Sequence, residues 1–365
     1  MSLIKGFKRF TLNLIAGINA VTIVLMLFVG MSDRIDPESH PFLSCLGLSF
    51  PVLIVVNLLF ILFWVIFSFK RVIIPFVGFL ICYSPIRTYC PLNRSSSEKA
   101  DFTLMTYNMA GFSNDENGLI GGRLPESIDH VEESDADVVC MQEEGIEDDW
   151  VVRFAKKYPY RDSCLQEPSG NCITVLSRYP ILKKTRIPFE GFTYNLAADF
   201  VLDVDGKQVH LINCHLETAG LTSEERQQFK RMMKGEEAAD SARENSRLLL
   251  VKIGKHNVKR AGQVKNILQY MDKYPDESFI VCGDFNDTPI SYTRHKMAER
   301  LTDCYRESGF GPGWTFHRDA IRVRIDHVLC SSDITPIDCK TDNSIASSDH
   351  YPVLCRLKIK SKTEK

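Results

Sequence analysis

The N-terminal part of the chain consists of apolar stretches that are long enough to cross a membrane. No charged residue occurs from Phe10 to Met31 or from Phe42 to Phe69, stretches of 22 and 28 residues. About 20 apolar residues in a helix span the hydrocarbon core of a bilayer, so both are predicted to be transmembrane helices. A third stretch, Val72–Ile86, is shorter, and it spans only if it continues past Arg87, whose long side chain can extend to the interface. The predicted spans lie at about residues 10–31, 42–69 and 72–89 of an all-α transmembrane region, residues 1–92.

The flanks of these stretches indicate which side of the membrane each part occupies. A cleaved signal peptide does not account for the first stretch, which is too long and is followed by a second one. Basic residues precede the first stretch and follow the second, and basic flanks stay in the cytoplasm. We therefore expect an integral protein of the inner (cytoplasmic) membrane, with the loop Asp33–Glu38 outside. The C-terminal domain is outside with three spans and inside with two. We favour three, which makes that domain extracytoplasmic.

Beyond a polar linker at residues 93–101, the pattern changes to short apolar runs rich in β-branched residues, which is typical of strands. The runs are Phe102–Tyr107, Asp137–Met141, Cys172–Leu176, Leu196–Val204, Val209–Asn213, Phe279–Cys282, Ile325–Cys330 and Val353–Leu357. Helical spacing intervenes, most clearly from about Ser246 to Met271. Short strands mixed with helices predict an α/β domain over residues 102–359, a four-layer sandwich of two packed mixed sheets flanked by helices. Residues 360–365 form a charged tail.

Composition restricts the chemistry of this domain. Nine of the twelve cysteines lie in it, but a domain of this size builds its own core, so a disulfide framework is not expected. No Cys or His spacing is typical of a zinc site. Residues 102–365 contain 35 Lys and Arg against 41 Asp and Glu. Because non-specific binding of nucleic acid depends on neutralising phosphates with basic residues, this acidic balance disfavours such a role.

Six short polar motifs follow one another along the domain, each at an end of a predicted strand. They are Tyr107-Asn108, Gln142-Glu143, Asn213–Leu216, Gly283–Asn286, Arg324–His327 and Ser348–Pro352. They supply the carboxylates, carboxamides and imidazoles that can hold a divalent metal ion and cleave a phosphoester. Any one of them alone could be an ordinary turn. In order and spelling, the six resemble the endonuclease/exonuclease/phosphatase superfamily, including its deoxyribonuclease I and sphingomyelinase branches, over about residues 102–359.

The resemblance implies a metal site of oxygen ligands. Glu143 follows a strand that reads as buried, which would deliver its carboxylate to the rim; read alone, it is a surface glutamate in an acidic run. Asn108 ends its strand and would reach the metal or a phosphate, although an Asx turn is the common use of such an asparagine. Asp349 would be the second metal carboxylate. The expected ion is Mg²⁺, with Mn²⁺ able to substitute.

The resemblance also assigns catalytic roles. Asp284 would position or deprotonate the attacking water, and the amide of Asn286 would hold it. Asp326 and His350 read as a carboxylate–imidazole dyad that either takes a proton or, as imidazolium, stabilises developing charge; the sequence leaves both open. His215 would bind the phosphate or protonate the leaving group, although a lone histidine is more often structural.

His327 should face away from Asp326, because neighbouring residues of a strand point to opposite sides.

Substrate-binding residues are harder to assign. The stretch Asn245–Tyr270 has no acidic residue, and its basic residues, among them Arg260, are either a solvated helix face or a contact with anionic lipid or another polyanion. Trp314 reads as a rim residue that flanks a substrate group, or as core. Ala110 stands where repair endonucleases of the family carry an aspartate, which weakens an abasic-site repair role.

Three functions therefore compete. The favoured one is a membrane-anchored, Mg²⁺-dependent phosphoesterase that acts on a small or lipid-like phosphoester. The alternative is a membrane-tethered nuclease of the same fold, and the least favoured is an inactive binding module. The expected partners are a phosphoester substrate and the membrane, with no obligate protein partner.

Overall fold

The N-terminal helices are long and apolar enough to cross a membrane. In the computed structural model, which describes residues 2–110, 124–144, 152–167, 169–191, 193–236, 238–318 and 321–360, α1 is Ser2–Gly30 and α2 is Phe50–Phe67. Candidate spans cover Ile4–Arg34 and Leu43–Phe67. A third is broken into α3 (Ile73–Ile81) and α4 (Tyr83–Tyr89), bent by 69°. The bend follows from Pro85, which has no N–H and clashes with the carbonyl four residues earlier.

Polar side chains join these helices internally. Asn19 and Asn57 are fully buried, and the amide of Asn19 donates to Oδ1 of Asn57 over 3.2 Å. The indole of Trp64 donates to Asn19 over 3.0 Å. Interhelical hydrogen bonds of this kind are the usual use of polar residues between membrane helices, since hydrocarbon offers no other partner.

The strands among the described residues that follow form two packed six-stranded sheets. The strands are β1 (Phe102–Asn108), β2 (Val138–Gln142), β3 (Tyr160–Gln166), β4 (Asn171–Ser177), β5 (Ile181–Ile187), β6 (Leu196–Val204), β7 (Lys207–His215), β8 (Ser278–Asp284), β9 (Thr302–Asp303), β10 (Asp326–Cys330), β11 (Ile334–Thr341) and β12 (Val353–Ile359). Their orders are β11-β12-β1-β2-β4-β3 and β5-β6-β7-β8-β10-β9. Pairs β1·β2 and β7·β8 are parallel and the other neighbours antiparallel, so both sheets are mixed.

Helices cover the outer face of each sheet. The remaining helices of the described residues are α5 (Leu124–Glu133), α6 (Ser223–Met233), α7 (Ala239–Met271), α8 (Tyr292–Ala298) and α9 (Cys304–Ser308). One apolar cluster fills the space between the sheets, a second joins α7 to the β7–β8 sheet, and a third joins α5 to the β1–β2 sheet. The predicted four-layer α/β sandwich is confirmed. All twelve cysteines are free, and residues 361–365 of the expected tail lie outside the described residues.

Strand ends from both sheets meet at one edge of the sandwich. β1 and β2 run parallel, so their last residues, Asn108 and Gln142, are paired in register. In the other sheet, Asp284 at the end of β8 is in register with His215 of β7 on one side and with Asp326 of β10 on the other. This edge therefore collects residues of five motifs.

The segment between α1 and α2, which we call the 31–49 loop, packs on the sandwich. A Cβ atom on Gly47 would lie 2.0 Å from the carbonyl oxygen of Ile290, so only glycine permits this approach. The amide of Asn257 donates to the hydroxyl of Ser44 over 2.8 Å. These contacts tie the loop to α7 and to the segment before α8.

The end of α4 is fixed to the sandwich as well. Arg87 forms an ion pair with Glu307 at 2.5 Å. Arg324 donates to the carbonyl of Thr88 over 2.6 Å, and its guanidinium lies 4.2 Å from the ring centroid of Tyr305. Arg324, the first residue of its motif, is thus structural.

Candidate active site

Asp326 and His350 form a hydrogen-bonded pair inside the site. Nδ1 of His350 lies 2.8 Å from Oδ2 of Asp326, and both side chains are buried. The backbone N–H of Asp326 donates to the hydroxyl of Thr315, and the ring of Phe316 meets His350 edge-on at 5.2 Å between centroids. A carboxylate on Nδ1 fixes the orientation of the ring and directs Nε2 at the rest of the site. The structure therefore brings the predicted pair together.

Asp284 lies between two imidazole rings. Its Oδ2 atom is 3.7 Å from Nε2 of His350 and 3.8 Å from Nε2 of His215. Burial raises the pKa of the Asp284 carboxyl to about 6, although the charge of His350 opposes this. Burial alone lowers the pKa of His350, but the carboxylates of Asp326 and Asp284 outweigh it and raise that pKa to about 10. At neutral pH, a carboxylate therefore faces an imidazolium.

His215 is oriented by a residue from the other sheet. Its Nδ1 atom lies 3.1 Å from the amide nitrogen of Asn171. An amide nitrogen only donates, so Nδ1 accepts, and in the neutral ring Nε2 carries the proton. Nε2 faces Asp284 and, at 3.5 Å, Oε1 of Glu143. His215 thus presents a donor to the cleft.

The side chain of Asn108 links the carboxylates of Asp284 and Glu143. Its amide nitrogen donates to Asp284 over 3.0 Å and to Glu143 over 3.3 Å. Its oxygen accepts from the backbone N–H of Ala110 over 3.0 Å, which is the Asx turn. Asn108 therefore occupies the predicted site, but with its nitrogen, not its oxygen, towards Glu143.

The turns that follow β2 and β8 have a strained backbone that positions side chains of the site. Glu143 and Asn286 have φ of +50° and +52°, a left-handed conformation that costs a non-glycine residue energy and is concentrated at functional sites. The backbone N–H of Asn286 donates to Asp284 over 2.8 Å, and its amide nitrogen donates to the carbonyl of Leu216 over 2.9 Å. A Cβ on Gly283 would lie 1.9 Å from the carbonyl oxygen of Cys214, so glycine allows β8 to approach β7 and to set Asp284 beside His215.

A model of the endonuclease/exonuclease/phosphatase family matches residues 105–350. The chain belongs to this family. A second model, of a domain of unknown function (DUF8431), matches residues 12–89. No curated protein matches the chain.

Solved structures share the fold at low identity. An endonuclease/exonuclease/phosphatase family protein from Bacteroides thetaiotaomicron is 16% identical, with a TM-score of 0.51 over 70% of this chain and 97% of that one. A mannosyl-6-phosphatase from the same organism is 16% identical, with a TM-score of 0.50 over 70% and 99%. The human Nocturnin catalytic domain, solved with a sulfate anion, is 14% identical, with a TM-score of 0.51 over 71% and 94%. The chain thus has the fold of a family that contains phosphoester hydrolases.

One buried group of this family member could hold a metal ion. Among the described residues, Asp284, Asp326 and His350 form a group whose ligand atoms all lie within 4.8 Å of one another. Glu143 and Asp349 are outside that group. Of the predicted metal ligands, Asn108 contacts Glu143, and the carboxylate of Asp349 lies 3.3 Å from Nη1 of Arg318.

The two predicted substrate-binding residues occupy different environments. Trp314 is 44% exposed at the surface. Arg260 is 1% exposed, and its guanidinium bonds to the carbonyl of Glu217, to Asp287 and to Asn257. Arg260 is therefore held within the protein and supports the wall of the site.

His327 lies on the far side of its strand from Asp326. One ring nitrogen is 2.9 Å from the carbonyl oxygen of Asp287, and the ring packs on Phe285. Burial lowers the pKa of His327 to about 4, so it is a neutral core residue. These contacts agree with the prediction that His327 faces away from Asp326.

Several residues that support the site are not among the site residues that the sequence predicts. Asn171 and Thr315 lie outside the six motifs, yet they orient His215 and the backbone of Asp326. Within the motifs, Gln142 donates to Oδ1 of Asn213 over 2.7 Å and joins the two sheets beneath the site. Only the packing of the folded chain reveals these roles.

We call the group of His215, Asp284, Asp326 and His350 the polar centre. It lies at a cleft of about 950 Å³. Glu143, His215, Asp284 and His350 line one part of it. Another part is lined by residues of the 31–49 loop and of the first turn of α2, which are Ser44, Cys45, Gly47, Leu48, Ser49 and Pro51. The wall of the cleft is therefore built from both regions of the chain.

Proposed function

We propose that the protein is a membrane-anchored, metal-dependent hydrolase of phosphoesters that uses water as the nucleophile. The observation that carries this proposal is the polar centre at one sandwich edge. There, Asp284 lies between His215 and His350, and His350 is held by Asp326. A carboxylate, two imidazoles and an orienting carboxylate are the groups that proton transfer and charge stabilisation at phosphorus require.

The residues divide the work of hydrolysis as follows. The oxygen of water forms a bond to phosphorus, the bond from phosphorus to the leaving oxygen breaks, the water loses one proton and the leaving oxygen gains one. Asp284, whose pKa is about 6, is ionised at neutral pH and accepts the proton of the water. His350, held as imidazolium, donates a hydrogen bond to a phosphoryl oxygen. His215 donates a hydrogen bond from Nε2 to the leaving oxygen, which takes its proton from solvent water.

Glu143 is the residue we propose as the main metal ligand. Its side chain is 26% exposed, and a carboxylate with room for water suits Mg²⁺, which prefers oxygen ligands. Asp326 and His350 are already bonded to each other, which makes them less suited to this ion. Asn108 would contribute by turning its amide over, and Asp349 would contribute by leaving Arg318. When bound, Mg²⁺ supplies positive charge that offsets the charge on the phosphoryl oxygens.

A small or lipid-like phosphoester is favoured over nucleic acid. Two basic residues of α7 are paired within the protein, since Lys252 pairs with Glu225 at 2.7 Å and Lys259 pairs with Glu217 at 2.8 Å. Arg260 is buried. The helix therefore offers less positive charge to a polyanion than its sequence suggests, which weakens the alternative of a tethered nuclease.

Activity of the full chain in detergent is the first test. With Mg²⁺ we expect hydrolysis of a p-nitrophenyl phosphodiester, its loss on adding EDTA, and cleavage of DNA at least about 10-fold slower per phosphate. Release of p-nitrophenol and gel analysis of DNA measure the two rates. Preferential cleavage of DNA would support the nuclease instead, and no turnover of any ester would leave the binding module.

We also propose that three segments cross the membrane. The 31–49 loop follows α1, and α4 ends the third segment, and both contact the sandwich. They therefore lie on the same side of the membrane as the sandwich. Between them the chain passes through α2 and α3, so it must leave that side and return. The turn at Phe69–Val72, which contains Lys70 and Arg71, then lies with the N-terminus on the other side. Its basic charge favours the cytoplasm as that side.

Reporter fusions check this topology. An alkaline phosphatase fused after Lys365 should be active, because it lies outside the cytoplasm, whereas a single cysteine introduced at Lys70 should be shielded from an impermeant thiol reagent in intact cells. The matched control is a cysteine at Glu38 in the 31–49 loop, which should react. A reporter active only in the cytoplasm would refute three spans.

A further inference from the structure

The cleft that contains the polar centre continues to the start of a membrane helix. Its lining includes Asp284 and His350 and also Ser49 and Pro51 at the beginning of α2. The 31–49 loop is fixed against the sandwich through Gly47 and Ser44. One continuous space therefore connects the proposed catalytic groups with the end of a candidate span.

Part of the lining of this cleft is apolar. We call this part the apolar groove, and its side chains come from α6, α7, the segment before α8 and the segment before β10. They are Phe229, Leu250, Ile253, Ile290 and Val323. An apolar surface that is open to water beside a polar centre is typical of a site that binds an apolar ligand.

The polar end carries the opposite character. Arg318 and Arg322 also line the cleft, and Nη1 of Arg318 lies 3.3 Å from the carboxylate of Asp349, the residue before His350. Positive charge beside the proposed catalytic groups suits a phosphate, and the apolar groove suits a hydrocarbon chain. Lipids of the surrounding bilayer carry both groups and are concentrated at the end of a membrane helix.

Resting on the proposed function, we propose that the substrate is a phosphoester lipid of the bilayer in which the protein is anchored. Its phosphate lies at Asp284, and one alkyl chain lies in the apolar groove that leads to the start of α2. The lipid enters from the bilayer at the 31–49 loop, so the head group does not leave the membrane surface to reach the centre.

A pair of esters that differ only in chain length tests this. Full-length protein in uncharged detergent micelles with Mg²⁺ is given p-nitrophenyl phosphodiesters with a methyl or an octyl second group, and kcat/KM is measured for each. Each buried CH₂ is worth about fourfold in binding, so we expect wild-type protein to prefer the octyl ester by at least about 10-fold.

Two tryptophan variants on α7 locate the effect. Ile253→Trp fills the groove, and we expect it to reduce the ratio of kcat/KM for the octyl ester to kcat/KM for the methyl ester at least about fivefold. Val251→Trp, on the same helix but 41% exposed, should change neither value. All variants share the same micelles, so partition of the octyl ester into detergent affects them equally.

Phe229→Ala, which removes a wall without adding bulk, is the second variant if Ile253→Trp does not fold, and it should lower the preference about threefold. Equal hydrolysis of both esters by wild type, or a groove variant that slows both alike, would overturn the lipid proposal and leave the hydrolase. A diffusible substrate or a protein partner on the groove predicts that outcome. No turnover of either ester would overturn the proposed function itself.

Discussion

Replacing Asp326 by Asn is expected to lower kcat/KM for an activated phosphodiester by about 10³-fold while the protein stays folded. The amide fills the same space, but the variant lacks the negative charge that orients His350 and keeps its ring protonated. In the wild type, Nδ1 of His350 lies 2.8 Å from that carboxylate. His350→Ala should cost about as much as the double variant, because groups that act as one unit are strongly non-additive. The measurement is kcat/KM for the two single variants and the double variant, with thermal unfolding to check each fold.

His327→Gln is the matched control for the dyad. His327 neighbours Asp326 on the same strand, but it bonds to the carbonyl of Asp287 and is buried away from the centre. Glutamine can keep that hydrogen bond, so kcat/KM should stay within about fivefold of wild type. Additive losses at Asp326 and His350, or a loss at His327 as large as that at His350, would show that the pairing is not the working unit.

Glu143→Gln should lower kcat by at least about 10²-fold and should abolish the response to added Mg²⁺. The variant keeps the shape of the side chain and removes its charge, on which binding of a divalent ion depends most. Titration of activity with Mg²⁺, in buffer first cleared with EDTA, gives kcat and the apparent affinity for the ion.

Glu144→Gln is the control for this charge. Glu144 is 4% exposed and accepts a hydrogen bond from Thr174 over 2.6 Å, and burial raises its pKa. Loss of its charge should therefore change kcat by less than about threefold, and the Mg²⁺ response should remain. If Glu143→Gln kept full activity in EDTA, our assignment of the ligand would be refuted.

The strands that the sequence predicts and those it misses differ in their place in the sheets. All eight predicted runs are strands, with ends within a few residues. The four unpredicted strands, β3, β5, β9 and β11, are the four edge strands. Edge strands face solvent and carry charges that discourage further pairing, as Lys183 and Lys184 of β5 do. They therefore lack the continuous apolar run that marks a central strand.

The residues of the site also differ in whether the sequence predicts their positions. Asp284, Asp326 and His350 follow or precede central strands, so their motifs predict where the side chains meet, and the structure brings them together. Arg260 belongs to a basic stretch, and charge pattern alone cannot reveal that its guanidinium is buried and bonded to Glu217 and Asp287. Asn171, far from any motif, becomes part of the site only through the packing of the two sheets.

The contact between the 31–49 loop and the sandwich also determines the smallest unit that can carry the whole cleft. A polypeptide that began at residue 95 would keep Glu143, Asp284 and His350, but it would lack the lining that Ser44, Gly47 and Pro51 provide. Its surface at Ile290, against which Gly47 packs, would be uncovered. The complete cleft is therefore shared between two parts of the chain that family models describe separately, and a fragment that contains all of its lining begins upstream of α2.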